Sequence, residues 1–248
     1  MDRNIKLTIA YDGTDFRGWQ RQDSERTVQG VIEEALEKMH GSPVNLTGSG
    51  RTDTGVHAAG QAANFYTNIG SIQPERFTPA LNSLLPHDTR ILHAQEVNGD
   101  FHARFSAKAR LYRYQFISSP LDPLFPHENR YNLRLFRYPR LELLNAYGRL
   151  LLGETDCSIF AGAGDTSKSK NRYVYSAYFY AEKNSLIFEI RANAFLRNMV
   201  RSVAGTFLHY EEKNTPAEKL NEIIKSADRS QAGPTLPPQG LFLWNIEY

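Results

Sequence analysis

The sequence predicts an α+β protein with helices packed on one face of a mainly antiparallel sheet. Three observations carry this. Residues 1–105 run through segments of period two and period 3.6 in the order strand, helix, strand, strand, helix, strand, which packs helices against an antiparallel sheet. A looser version of that order returns in residues 106–248. Turn residues such as Asp12-Gly13 and Lys183-Asn184 punctuate the segments.

The elements follow in order. Ile5–Tyr11 alternates apolar with small or polar residues and reads as a half-buried strand. Val28, Val31, Ile32, Ala35, Leu36 and Met39 share one helical stripe, with Thr27 placed to cap it and Gly41 to stop it. Val44–Thr47 and Gln61–Tyr66 read as strands flanking a glycine-rich loop. Pro74–Leu85 reads as a second helix with Phe77, Leu81 and either Leu84 or Leu85 inward. In the strand Thr89–Val97 two faces compete, Ile91, His93 and Gln95 against Leu92, Ala94 and Glu96.

In the second half, Ala107–Ile117 reads as a strand with Tyr112, Tyr114 and Phe116 on one face, broken by Pro120–Pro126. Leu141, Leu144, Tyr147, Leu151 and Leu152 mark a helix ending at Gly153, and Gly162–Lys170 has the composition of a mobile loop. Tyr173–Glu182 and Ser185–Ala192 form a hairpin. A helix from Phe195 to about Glu211 turns Leu196, Met199, Val200, Val203 and Phe207 inward and leaves Arg197 and Arg201 on the border. A last helix, 216–227, and a closing strand, 241–248, complete the chain.

With 248 residues, 41% of them apolar, the chain can bury one large core or two smaller ones. The lone Cys157 excludes an internal disulfide and suits a reducing compartment. The start lacks the apolar core of a signal peptide and no long apolar run could span a membrane, so a soluble intracellular protein is expected. Net charge is only +2, but residues 101–140 hold eight basic residues against Asp122 and Glu128. Phe105, Tyr112, Tyr114, Phe116, Phe125, Tyr131, Phe136 and Tyr138 are interleaved with them. Cations for phosphates beside stacking faces for unpaired bases suit RNA.

The chemistry points to Gly48–Gly60, where four glycines surround Arg51 and Asp53. A dinucleotide fingerprint would need Gly where Asp53 stands, and no Gly-Lys-Ser/Thr follows for a nucleotide phosphate loop. His57 has no His or Cys at ligand spacing, so no metal is expected. Asp53 is left either as an Asx-turn residue or as a reactive carboxylate held on a rigid loop.

Gly50-Arg51-Thr52-Asp53-Thr54-Gly55-Val56-His57-Ala58 resembles the signature of the TruA family of tRNA pseudouridine synthases. Thr54 stands where that family more usually has Ala. Similar family segments occur in order along the chain: Phe16–Gln20, Phe101–Ser106, Phe195–Arg201, and Ala232–Thr235 with Gly240-Leu241. The resemblance implies two ferredoxin-like, RRM-like halves forming one continuous sheet around a central active-site cleft. Residues 1–105 would carry the Asp loop, and residues 106–248 the active-site Tyr and Arg. It implies isomerisation of uridine to pseudouridine at positions 38, 39 and 40 of the tRNA anticodon stem-loop, by a cytoplasmic homodimer without cofactor or metal.

Asp53 falls at the family's catalytic aspartate, attacking C1′ or uracil C6, or deprotonating C2′. Arg201, in Met199-Val200-Arg201, matches the active-site arginine that would offset burial of the carboxylate. Arg51 resembles the residue that fills the space left by a flipped-out nucleotide. Tyr112 corresponds to the active-site tyrosine, stacking on uracil and assisting proton removal from C5, with Tyr114 as its rival on the same face.

Overall fold

The structure is a computed structural model that describes residues 2–118, 126–183 and 185–248. These residues form ten strands and six α-helices, and the chain is α+β. By contacts it divides into two units, Met1–Lys108 with Phe242–Tyr248, and Ala109–Leu241. The closing strand, Leu241–Glu247, which the sequence places at the end of the second half, therefore belongs almost entirely to the first unit.

In the first unit, strand β1 (Arg3–Tyr11) is followed by helix α1 (Val28–His40), the two-residue strand β2 (Thr47–Gly48) and the long strand β3 (His57–Thr67). A 3-10 turn at Pro74–Arg76, helix α2 (Phe77–Asn82) and strand β4 (Thr89–Val97) complete it. β1 pairs antiparallel with both β3 and β4, and the C-terminal strand adds to β3 in parallel through Phe242 opposite His57. Ile5, Leu7 and Ile9 are fully buried, as are Phe65 and Phe77. Each such side chain contributes about 1.5–3 kcal/mol of transfer free energy.

Both ends of α1 form as the sequence predicts. The Thr27 hydroxyl accepts the Gly30 N–H, and Gly41 at φ 70° donates its N–H to the Glu37 carbonyl. The strand expected at Val44–Thr47 shrinks to Thr47–Gly48. Side chains of α1 take the backbone groups it would need: Glu33 accepts the Leu46 N–H and Gln29 donates to the Leu46 carbonyl. The expected helix Pro74–Leu85 splits into the 3-10 turn and the short α2, with Leu85 rather than Leu84 buried. Neither of the two faces proposed for β4 is the buried one. A bulge opposite Thr8 and Ile9 shifts the parity, so Ile91 and Ala94 are both buried and Leu92 is 53% exposed.

The second unit opens with β5 (Ala109–Ser118), then α3 (Pro126–Tyr131), β6 (Leu133–Leu135), α4 (Leu141–Arg149) and β7 (Gly153–Asp156). The hairpin strands β8 (Asn171–Glu182) and β9 (Ser185–Ala192) follow, then α5 (Met199–Glu212) and α6 (Ala217–Lys225). Strand order is β5-β9-β8-β7, all antiparallel, with β6 alongside β5 in parallel. The expected break at 120–126 lies outside the described residues except for its last position, and so does Asn184 of the hairpin turn. α3, β6 and β7 are too short to leave a periodic signal.

Helix α5 begins four residues later than its apolar stripe suggests. Asn198, at φ 58°, is left-handed and cannot continue a helix backwards, so Leu196 and Arg197 lie ahead of it. Near its other end Glu211 is buried, and it holds the basic stretch before α4 in place. Arg137 and Arg140 both pair with its carboxylate, and the Arg140 N–H adds a bond of 3.0 Å. Burial works to raise the Glu211 carboxyl, but the hydrogen bonds from Arg140 and Arg137 outweigh it and hold the group below its ordinary value. Arg113 is paired in the same way with Glu189, at 2.7 Å.

Candidate active site

The glycine-rich loop spans Ser49–Val56, because His57 and Ala58 of the signature already belong to β3. Its first end is fixed by Gln61, which accepts from the Ser49 hydroxyl and donates to the Gly50 carbonyl at 2.9 Å. Its far end is a turn in which the Val56 N–H donates to the Asp53 carbonyl at 3.1 Å. Between them the chain alternates: Arg51 is exposed, Thr52 buried and Asp53 half-buried. Thr52 is thus the anchor, and its neighbours project away from it.

A second loop, Asp12–Trp19, braces the first from behind. The Trp19 N–H donates to the Thr52 carbonyl at 3.2 Å, and the Gly55 N–H to the Phe16 carbonyl at 3.3 Å. The hydroxyls of Tyr11 and Thr52 share a hydrogen bond of 2.8 Å. Burial pushes the Tyr11 phenol well up, against its bonds to Thr52 and Gln61, so it stays a neutral hydroxyl. His57 Nδ1 accepts the Gly13 N–H at 3.0 Å and lies 3.2 Å from Asp12 Oδ1, while its ring stacks on Phe242. Trp19 is a packing residue, 2% exposed, and a side chain at Gly48 would collide with its indole.

Gly18 sits at φ +87°, with the Thr52 carbonyl only 2.6 Å from where a Cβ would stand. Gly18→Ala is therefore expected to destabilise the fold by roughly 2–4 kcal/mol, combining left-handed strain with displacement of the loop backbone. Urea unfolding of the variant checks this; a change below the error of the midpoint would show that the two loops are not tightly braced.

Tyr112 and Arg201 lie in the second unit. Tyr112, near the middle of β5, is half-buried, with its ring edge-on to Phe195 at 5.0 Å. Tyr114 on the same strand is fully buried, and its hydroxyl donates to the Pro237 carbonyl. Burial pushes the Tyr114 phenol well up despite the opposing charge of Arg201. Its hydroxyl is committed to the backbone. Arg201 lies in the first turn of α5; Nε donates to the Leu236 carbonyl at 2.6 Å and Nη1 to Asn198 Oδ1 at 3.1 Å.

Arg197, expected on the same helix, precedes it, and its N–H donates to Asp165 Oδ2 at 2.7 Å. Asp165 also receives Lys170 and the Ser167 N–H, tying down the loop that the sequence marks as mobile. Burial opposes ionisation of Asp165, but these bonds together hold its carboxyl far below the usual range.

Sequence reasoning missed the bracing loop as a partner of the Asp53 loop. Gly13 and Gly18 were its signal, since both stand where the backbone of residues 52–56 comes too close for a Cβ. Among the described residues no group of three or more His, Cys, Asp or Glu side chains could hold a metal ion. No described helix is long and apolar enough to cross a membrane.

Fold and sequence together define the class. A family model described as tRNA pseudouridine synthase matches residues 7–106 and 148–248. A Treponema denticola protein named tRNA pseudouridine synthase A is 51% identical over 251 residues, covering 99% of this chain and 93% of its own length. A Caldicellulosiruptor saccharolyticus protein of the same name is 44% identical over 248 residues, covering 99% and 100%. The chain belongs to the tRNA pseudouridine synthase family, whose members are isomerases.

Proposed function

We propose that this chain converts uridine to pseudouridine at positions 38, 39 and 40 of the tRNA anticodon stem-loop, working in the cytoplasm as a homodimer. The observation that carries the reading is the setting of Asp53, a half-buried carboxylate on a loop pinned through Thr52, Gly55 and Val56. In the reaction the N1–C1′ bond breaks, the C5–C1′ bond forms, and the proton on C5 leaves as N1 regains one. Nothing is oxidised or reduced, so the balance requires no cofactor.

Asp53 acts as the nucleophile on a flipped-out uridine. Arg201 offers a planar charge to the same reaction. Tyr112 stacks on the extruded uracil and takes part in removal of the C5 proton, and Arg51 supports the nucleotide outside the helix.

Release of tritium from C5-labelled uridine in an unmodified tRNA transcript tests the function. Tritium release matching pseudouridine formation, without free uracil, is expected. Tight binding without release would reduce the protein to an RNA-binding module, and free uracil would make it a nucleoside hydrolase. Tyr112→Phe should slow turnover about a hundredfold, the usual weight of a proton-transfer group. Tyr114→Phe should instead lower stability by about 1 kcal/mol through its lost bond and leave turnover alone. The reverse pattern in rate and melting measurements would exchange their roles.

A further inference from the structure

Behind Arg51 the first unit carries a line of side-chain amides that the reaction does not use. Arg51 Nε donates to Gln20 Oε1 at 3.1 Å. Gln20 Nε2 donates to Gln29 Oε1 at 2.7 Å. Gln29 Nε2 donates to Glu33 Oε1 at 3.0 Å and to the Leu46 carbonyl at 2.9 Å. Glu33 ends the line, 12% exposed, and also receives the Leu46 N–H and Arg21 Nη1.

The direction of this line is fixed by main-chain groups. Gln29 Oε1 accepts the Arg21 N–H at 3.0 Å while its Nε2 faces a carbonyl. Turning that amide over would set donor against donor and oxygen against oxygen. Gln29 must therefore accept from Gln20, and Gln20 is left with its oxygen towards Arg51. Every donor points the same way, towards a carboxylate, an arrangement in which successive bonds polarise one another. Among the described residues, Nε is the one Arg51 side-chain atom with a hydrogen bond. The two terminal amino groups of this exposed residue are left for a ligand.

We propose that Gln20, oriented by Gln29 and Glu33, is a positioning residue that holds the Arg51 guanidinium by its inner nitrogen and aims its terminal fork at the extruded nucleotide. This rests on the role proposed above for Arg51. An unheld arginine loses rotamer entropy on engaging a ligand, and the amide line removes part of that loss beforehand. Gln20 acts through Arg51 and touches no reacting atom.

The test is a double-mutant cycle of Gln20→Met and Arg51→Ala on a tRNA transcript. It is read by single-turnover rate and by a fluorescent base analogue at the target position that reports extrusion. Gln20→Met should slow conversion about tenfold, the weight of one hydrogen bond to a charged group, with weakened extrusion and an unchanged melting temperature. In the Arg51→Ala background the same change should add less than about twofold, because its partner is already gone. A transcript mismatched at the target pair, whose base leaves the stack more readily, should recover most of the Gln20→Met loss. Additive losses, or a Gln20→Met protein with normal extrusion beside an impaired Arg51→Ala, would overturn the role of Gln20 alone. Normal extrusion and turnover in Arg51→Ala would remove the role of Arg51 and this one with it.

Discussion

Asp53→Asn is expected to reduce isomerisation by roughly four orders of magnitude or more, as loss of a nucleophile does elsewhere, while tRNA binding changes little. The two side chains share a shape, and the loop does not depend on the carboxylate charge for its main-chain bonds. Those run through the Thr52 carbonyl, the Gly55 N–H and the Asp53 carbonyl, all of which remain. Binding survives because phosphate contacts supply most of the affinity. Tritium release and filter binding on one preparation separate the two quantities. An Asn variant turning over near the wild-type rate would remove Asp53 as the nucleophile.

The second large effect is expected at Arg201. Arg201→Met should lower the single-turnover rate about 10²–10³-fold, the usual weight of one preorganised charged donor. It also strips the Leu236 carbonyl and Asn198 of a partner, which costs roughly 1–3 kcal/mol of stability. Rates are therefore compared at a temperature where both proteins are folded by circular dichroism. Arg201→Lys should recover part of the rate, since an ammonium keeps the charge but not the planar fork. A folded Met variant with the wild-type rate would show that Arg201 serves only to tie α5 to the segment at Leu236.

Legibility in the sequence followed how local each determinant is. The caps of α1 were readable because Thr27 and Gly41 act on backbone within one turn. β4 was not, because its bulge is set by pairing with Thr8 and Ile9 more than eighty positions away. Val44–Leu46 has strand composition but loses its backbone groups to Gln29 and Glu33, partners only a structure displays. The apolar stripe of α5 runs on through Leu196, yet one left-handed Asn198 ends the helix there. At the site, Arg51 and Asp53 stood out by their glycine setting. Gln20 lies in a segment that resembles one of the family's, but its link to Arg51 is not legible until its amide is seen facing that residue.

The buried Glu211 bears on how RNA binding responds to salt. Of the eight cations between Arg104 and Arg140, Arg137 and Arg140 face Glu211 and Arg113 faces Glu189. Their charge is already met by carboxylates of the protein, so they are not counted among the groups that neutralise phosphates and drive off the cations condensed on the RNA. Displacement of mobile ions by phosphate contacts is what makes nucleic-acid affinity fall with ionic strength. The fall for tRNA is therefore expected to be set by cations other than these three, and to be shallower than a count of basic residues along the chain suggests.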